Sequence, residues 1–116
     1  MDIKELLKEA QMLLVDGKDK ESIEAFTKAI KAGADPYISH LSRGVIYVKL
    51  KESDKALDDL NKAIKANSLS ARAYFFRGMT YMMKENFNHA VADFTGALTL
   101  KTNYGMSKFA RAVSYA

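Results

Sequence analysis

The sequence predicts an all-α chain, a stack of antiparallel helix pairs with three repeats and one terminal helix. Three observations lead there. Apolar residues recur at three- and four-residue spacing, and no run of useful length alternates as a strand does. One proline and six glycines in 116 residues are too few for long coil connections. The chain also repeats itself: Gly44 and Gly78 lie 34 residues apart, as do Tyr47 and Tyr81, and Tyr115 is a further 34 on. Ser22, Ala56 and Ala90 share one register, Phe26, Leu60 and Phe94 another, and Ala29, Ala63 and Ala97 a third. A period of this length marks hairpins that bury their apolar faces only by stacking on one another.

The first helix is expected at about 2–16. Asp2 is its N-cap, Ile3, Leu6, Leu7, Ala10, Leu13 and Leu14 form its apolar stripe, and Gly17 ends it. The second, at about 20–31, turns Ile23, Phe26, Ala29 and Ile30 inward and is closed by Gly33. Asp35 caps the third, at about 36–50, with Pro36 in the first turn, where a missing N–H costs nothing. Ser53 is expected to cap the fourth, at about 54–66, Ser68 or Ser70 the fifth, at about 71–84, and Asn86 the sixth, at about 87–100. A seventh begins near Asn103. The repeats then span about 2–35, 36–69 and 70–103, with a half repeat at 104–116 in one domain. Met106, Phe109, Val113 and Tyr115 of that half repeat have no second helix to cover them, so the chain is expected to be the N-terminal part of a longer protein.

Composition narrows the function classes. The net charge of +4 is spread as lysines among aspartates and glutamates rather than gathered in a stripe, which argues against nucleic acid. No apolar run reaches the ~20 residues of a membrane span. With no cysteine there is neither a disulfide nor a thiolate metal site. The start, MDIKELLKEA, is charged and helix-patterned rather than a leader, so the expected location is cytoplasmic.

The repeated pattern is Arg43-Gly44-x-x-Tyr47 followed by Ala56-Leu57-x-x-Leu60-x-x-Ala63, and Arg77-Gly78-x-x-Tyr81 followed by Ala90-Val91-x-x-Phe94-x-x-Ala97. It resembles the tetratricopeptide-repeat family over nearly the whole chain. The first unit departs from it, with Ala10 for the glycine, Leu13 for the tyrosine and Ser22 for the alanine, and the family's unit-ending proline is missing from all three copies. The resemblance implies a right-handed superhelix whose concave groove is lined by the first helix of each pair, and a module that binds peptides or protein segments rather than an enzyme. Some members hold acidic C-terminal peptides in a clamp of lysine, asparagine and arginine. The clamp registers here are Leu7, Gln11, Ser42, Arg72 and Phe76, and only Arg72 keeps the charge, so a chaperone-tail ligand is not expected.

The fifth helix has more apolar surface than one contact needs. Tyr74, Gly78 and Tyr81 suit its hairpin partner, while Phe75, Met79 and Met82, with Phe76 and Met83 beside them, require another cover. Leu41 and Val45 in the third helix and Met106 and Phe109 in the seventh repeat the feature. These residues are the expected partner-binding surface, an apolar groove rich in adaptable methionine. Arg72, Lys4 and Lys49 lie at groove registers too. The expected partner is a peptide or helical segment with apolar side chains; the alternative is self-assembly, through the C-terminal helix, or a scaffold element of a larger protein.

Arg43 and Arg77 each precede an aspartate, Asp59 and Asp93, by 16 residues, so an ion pair is expected inside the second and third units and not in the first, where Glu9 and Ala25 stand. His40 and His89 fall in different helices, and the adjacent Asp58 and Asp59 point to different helix sides, so neither catalysis nor a metal site is expected, and no cofactor.

Overall fold

The protein is described here by a computed structural model covering residues 2–109, with side chains through residue 101. Among the described residues there are six helices and no strand: α1 Ile3–Val15, α2 Asp19–Lys31, α3 Pro36–Lys49, α4 Ser53–Ala66, α5 Ala71–Met83 and α6 Phe87–Phe109. The chain divides into the pairs α1–α2, α3–α4 and α5–α6, and each pair then leans on the next through α2–α3 and α4–α5. The odd-numbered helices also touch one another, α1 with α3 and α3 with α5, whereas α2–α4 and α4–α6 do not meet among the described residues. The odd helices therefore crowd together on the inside of a curved stack.

Local chemistry sets most of the boundaries. Asp2 and Glu5 form a reciprocal capping box at the start of α1. The Asp35 carboxylate accepts from the Ile38 amide at 3.0 Å beside Pro36, and the Ser70 hydroxyl accepts from the Ala73 amide at 3.0 Å. Ser53 is not the cap of α4. It is the first helical residue, and Glu52 stands at the cap position without a side-chain bond.

The exits of α1, α3 and α5 use one device at one register. Gly17, Lys51 and Glu85 all take left-handed backbone, at φ +77°, +60° and +58°. In each case the amide of the next residue donates back into the last turn: Lys18 to the Leu13 carbonyl, Glu52 to Tyr47 and Asn86 to Tyr81. Only the first unit has the glycine that this geometry favours.

The packing is close because small residues face large ones. A Cβ added to Gly44 would lie 3.1 Å from the Leu60 side chain, and one added to Gly78 would lie 2.8 Å from the Phe94 ring. In the first unit Ala10 takes the glycine's place against Phe26, and both are fully buried. Ser22 stands there for the alanine, and its hydroxyl donates to the Ala10 carbonyl at 2.9 Å, so the two departures of that unit answer each other. A second cluster joins Leu41, Val48, Leu60 and Ala63 of the α3–α4 pair to Ala73 of α5.

The expected turn near residues 101–103 is absent: α6 continues without a break to Phe109. The equivalent turns upstream carry Gly33 with Pro36, or the run Asn67-Ser68-Leu69-Ser70, whereas Leu100-Lys101-Thr102-Asn103 holds neither glycine nor proline to stop the helix. Residues 110–116, with Val113 and Tyr115, lie outside the described residues, as do the side chains of Met106 and Phe109. No described helix is long and apolar enough to cross a membrane.

Lys51→Gly and Glu85→Gly should each raise the stability by about 0.5–1 kcal/mol, the relief of left-handed strain less the extra chain entropy a glycine loses. Gly17→Ala should lower it. Urea midpoints for the three variants check both signs.

Candidate functional site

The side chains of α5 divide between a covered and an open side. Ala73 is buried, and Phe76 and Met79 are half-buried against the α3–α4 cluster, where Val45 also packs. Phe75 and Met82 are 45% and 46% exposed. Their counterparts 34 residues earlier, Leu41 and Val48, are each only 7% exposed, because α5 lies on them. Leu98 of α6 is 66% exposed, while Ile64 at the same register of α4 packs into the core. The open side of the α5–α6 pair is thus the face that the α3–α4 pair buries under α5.

The Phe75 ring bridges the two helices of that face, 5.7 Å from the Phe94 ring and 5.4 Å from the Phe76 ring. Phe75, Phe94, Ala97 and Leu98 line an open cleft of about 660 Å³, to which Arg72 and Lys101 add positive charge. The Arg72 guanidinium also lies 6.0 Å from the Phe76 ring centre. Apolar rings edged by cations suit an amphipathic segment carrying some acidic groups.

The expected groove residues therefore do not form one surface. Leu41 is a correction: it belongs to the buried core between α3 and α5, covered as soon as a following helix packs. Val45, Phe76 and Met79 are half-covered at the same junction, Phe75, Met82 and Met83 are exposed, and Arg72 is exposed. The side chains of Met106 and Phe109 lie outside the described residues. Lys49, at a groove register, is held by Asp19 of α2 at 2.9 Å. Leu98 is the apolar contributor that the sequence did not single out; its register with Ile64 carried the signal.

A polar ladder runs from unit to unit along the stack. Arg43 donates through Nε and Nη2 to the two oxygens of Asp59, at 2.7 and 2.8 Å, and Arg77 does the same to Asp93, at 2.8 Å for both. The third nitrogen of each fork reaches backward. Arg43 Nη1 donates to the Thr27 hydroxyl at 2.9 Å, and Arg77 Nη1 donates to the Asn61 carbonyl oxygen at 3.0 Å. Each arginine thus links the residue 16 positions ahead to the residue 16 positions behind, and with it one unit to the unit before. The hydrogen-bonded Asp59 carboxylate holds the pKa of Arg43 above its ordinary value against the opposing effect of burial, and Asp93 does the same for Arg77. The backward contact is not visible in either unit alone and shows only when Thr27 and Asn61 are set at the same register.

His40 Nδ1 lies 2.8 Å from Asp59 Oδ1, on the carboxylate Arg43 already binds, and His89 Nδ1 lies 2.8 Å from Asn86 Oδ1. Among the described residues no group of three or more histidines, aspartates or glutamates is placed to hold a metal ion.

Asp59 is almost fully buried, so removing its guanidinium leaves the carboxylate with His40 as its one remaining side-chain partner. Arg43→Met should cost about 3–5 kcal/mol in urea unfolding, and Arg43→Met combined with Asp59→Leu should recover most of it. Arg77→Met should cost less, because the Asp93 carboxylate is less completely enclosed.

Helical arrays with this geometry are known in solved structures. The second TPR domain of Spaghetti (RPAP3), bound to the HSP90 peptide SRMEEVD, is 23% identical, with a TM-score of 0.81 over 86% of this chain and 93% of that one. The first TPR domain of the same protein, bound to the same peptide, is 26% identical, with a TM-score of 0.80 over 97% and 94%. MamA from Desulfovibrio magneticus RS-1, solved from residue 41 to its end, is 23% identical, with a TM-score of 0.81 over 85% of this chain and 56% of that one. No curated protein sequence matches the chain. The model of the tetratricopeptide repeat matches residues 7–67 and 41–105. With an array of hairpins, a shared period and a motif match over most of its length, the chain belongs to the tetratricopeptide-repeat family.

Proposed function

We propose that this domain is a protein–protein interaction module that seats an apolar segment of a partner, helical or extended, on the open face of α5 and α6. The observation that carries this is the exposure of Phe75, Met82 and Leu98 beside the half-buried Phe94, on a face that the preceding repeat keeps covered. Contiguous apolar surface of this kind is costly in water and marks a contact. Met82 and Met83 add side chains that adapt to varied partners.

The RPAP3 domains hold an acidic peptide. For this chain an acidic chain end is the weaker candidate. The clamp registers carry Leu7, Gln11, Ser42 and Phe76, and Arg72 is the one cation among them. A carboxylate drawn into such a groove would lose its water without gaining enough donors. Arg72 and Lys101 suit acidic side chains flanking an apolar core instead. A self-assembly or scaffold role uses the same surface and differs in the occupant.

Peptides selected from a random display library on this protein should share a core of apolar residues. Phe75→Glu with Met82→Glu should weaken them at least about 100-fold with helical circular dichroism unchanged, since both positions are exposed. Met79 is not a clean test position, because its side chain packs on the core. Selected peptides that lack apolar residues, or that are indifferent to both substitutions, would sink the proposal.

A further inference from the structure

The stack has two internal joints, α3 on the α1–α2 pair and α5 on the α3–α4 pair. Polar contacts cross them at fixed registers. Lys49 of α3 meets Asp19 of α2 at 2.9 Å, and Lys84 after α5 donates to Asp54 of α4 at 2.6 Å. Arg43 reaches Thr27 and Arg77 reaches Asn61. The hydroxyls of Tyr37 and Ser70, at the starts of α3 and α5, are hydrogen-bonded at 2.7 Å. The period of 34 residues assigns each half of these contacts a counterpart at an end of the molecule. One counterpart lies on α1, which covers nothing, and the other on α5 or α6, which nothing described covers.

The counterparts suit each other. For Lys49 and Asp19 they are Val15 and Phe87: an ion pair becomes two apolar side chains, 85% and 54% exposed. For Lys84 and Asp54 they are Asp16 and Asn88, a carboxylate opposite an amide that can donate to it. For Arg77 and Asn61 they are Glu9 and Thr95, a carboxylate opposite a hydroxyl. For Ser70 and Tyr37 they are Asp2 and Ala71. Asp2 caps α1 as Ser70 caps α5, accepting from the amide three residues on. Ala71 offers no hydroxyl, but Arg72 and Lys101 line the cleft beside it, opposite the acidic pair Asp2 and Glu5. Lys4 repeats the charge of Arg72 at its register and opposes this attraction; Lys8, at the register of Phe76, can lay its stem along an aromatic ring. Met12, 57% exposed, shares its register with Ile46 and Thr80, which are fully buried in the two joints.

We propose that copies of this chain stack head to tail, α1 of one copy lying on the open face of α5 and α6 of another as α5 lies on α3 and α4. This rests on the proposal that the face is a docking site, and it names the occupant. The contact joins two different surfaces, so it does not close on itself, and the stack lengthens as concentration rises.

Met12→Glu with Val15→Glu blocks the α1 end, and Phe87→Glu with Leu98→Glu blocks the α5–α6 end. All four positions are exposed, so helical circular dichroism should not change. Light scattering of the unsubstituted full-length protein is expected to give a mean mass that passes that of a dimer as concentration rises. Each blocked protein alone should stay monomeric, its self-association weakened at least about 100-fold, and an equimolar mixture of the two should form one-to-one dimers and nothing longer. A monomer at every concentration overturns the stacking, as does a mixture that stays monomeric. A dimer that never grows, or an α1-blocked protein that still dimerises by itself, overturns it too, since either requires a two-fold contact. If the chain is monomeric yet library peptides still require Phe75 and Met82, the stacking fails and the docking proposal stands.

Discussion

A pair of helices has two apolar sides and only one partner. Everything in this molecule follows from that mismatch. The α3–α4 pair buries Leu60 and Ala63 against its own hairpin interior, and still leaves Leu41 and Val48 with nothing to face until α5 arrives. The same need passes to α5 and α6, whose corresponding side chains remain in water. Stability is therefore transmitted along the stack through nearest neighbours, and the surface available for recognition is whatever the last transmission leaves uncovered.

The arginine ladder complements that rule. Apolar faces attract without direction and would tolerate a slip along the helix axes. A guanidinium fork does not, because its three nitrogens must meet an aspartate in the same unit and a Thr27 or Asn61 oxygen in the preceding one. A buried ion pair of this kind adds little net stability over apolar residues of the same shape, since desolvation consumes most of the attraction. Its effect here is on register: a slip between units would leave Nη1 of Arg43 or Arg77 without the Thr27 or Asn61 oxygen it donates to.

Much of the fold was legible because the period makes each residue testify more than once. The registers of Gly44 and Gly78, of Phe26, Leu60 and Phe94, and of Arg43 and Arg77 state the architecture without a measured distance. Two features escaped for physical reasons. Counting repeats puts the end of α6 near residue 100, but a helix stops where its sequence offers a stop, and residues 100–103 offer none. The shared register of Leu41 and Phe75 suggests one groove surface, and yet register fixes direction, not cover. Leu41 faces the next pair and is buried; Phe75 faces the same way with no pair upon it. Composition alone has no means of separating the two.

The left-handed residues show how far the repeat constrains its own sequence. Gly17, Lys51 and Glu85 occupy one turn with nearly one conformation, although a lysine and a glutamate carry a Cβ penalty there that glycine does not. The turn survives because both of its flanking helices are pinned elsewhere, by Gly44 against Leu60 in one unit and Gly78 against Phe94 in the next. Tertiary contact dictates the backbone and the local residue complies. In the first unit the glycine relaxes the turn, while Ala10 and Ser22 depart from the shared packing and mend the departure with a hydrogen bond. Each unit thus tolerates local misfit as long as its faces still match its neighbours, which is why the pattern weakens residue by residue in this chain without the stack being lost.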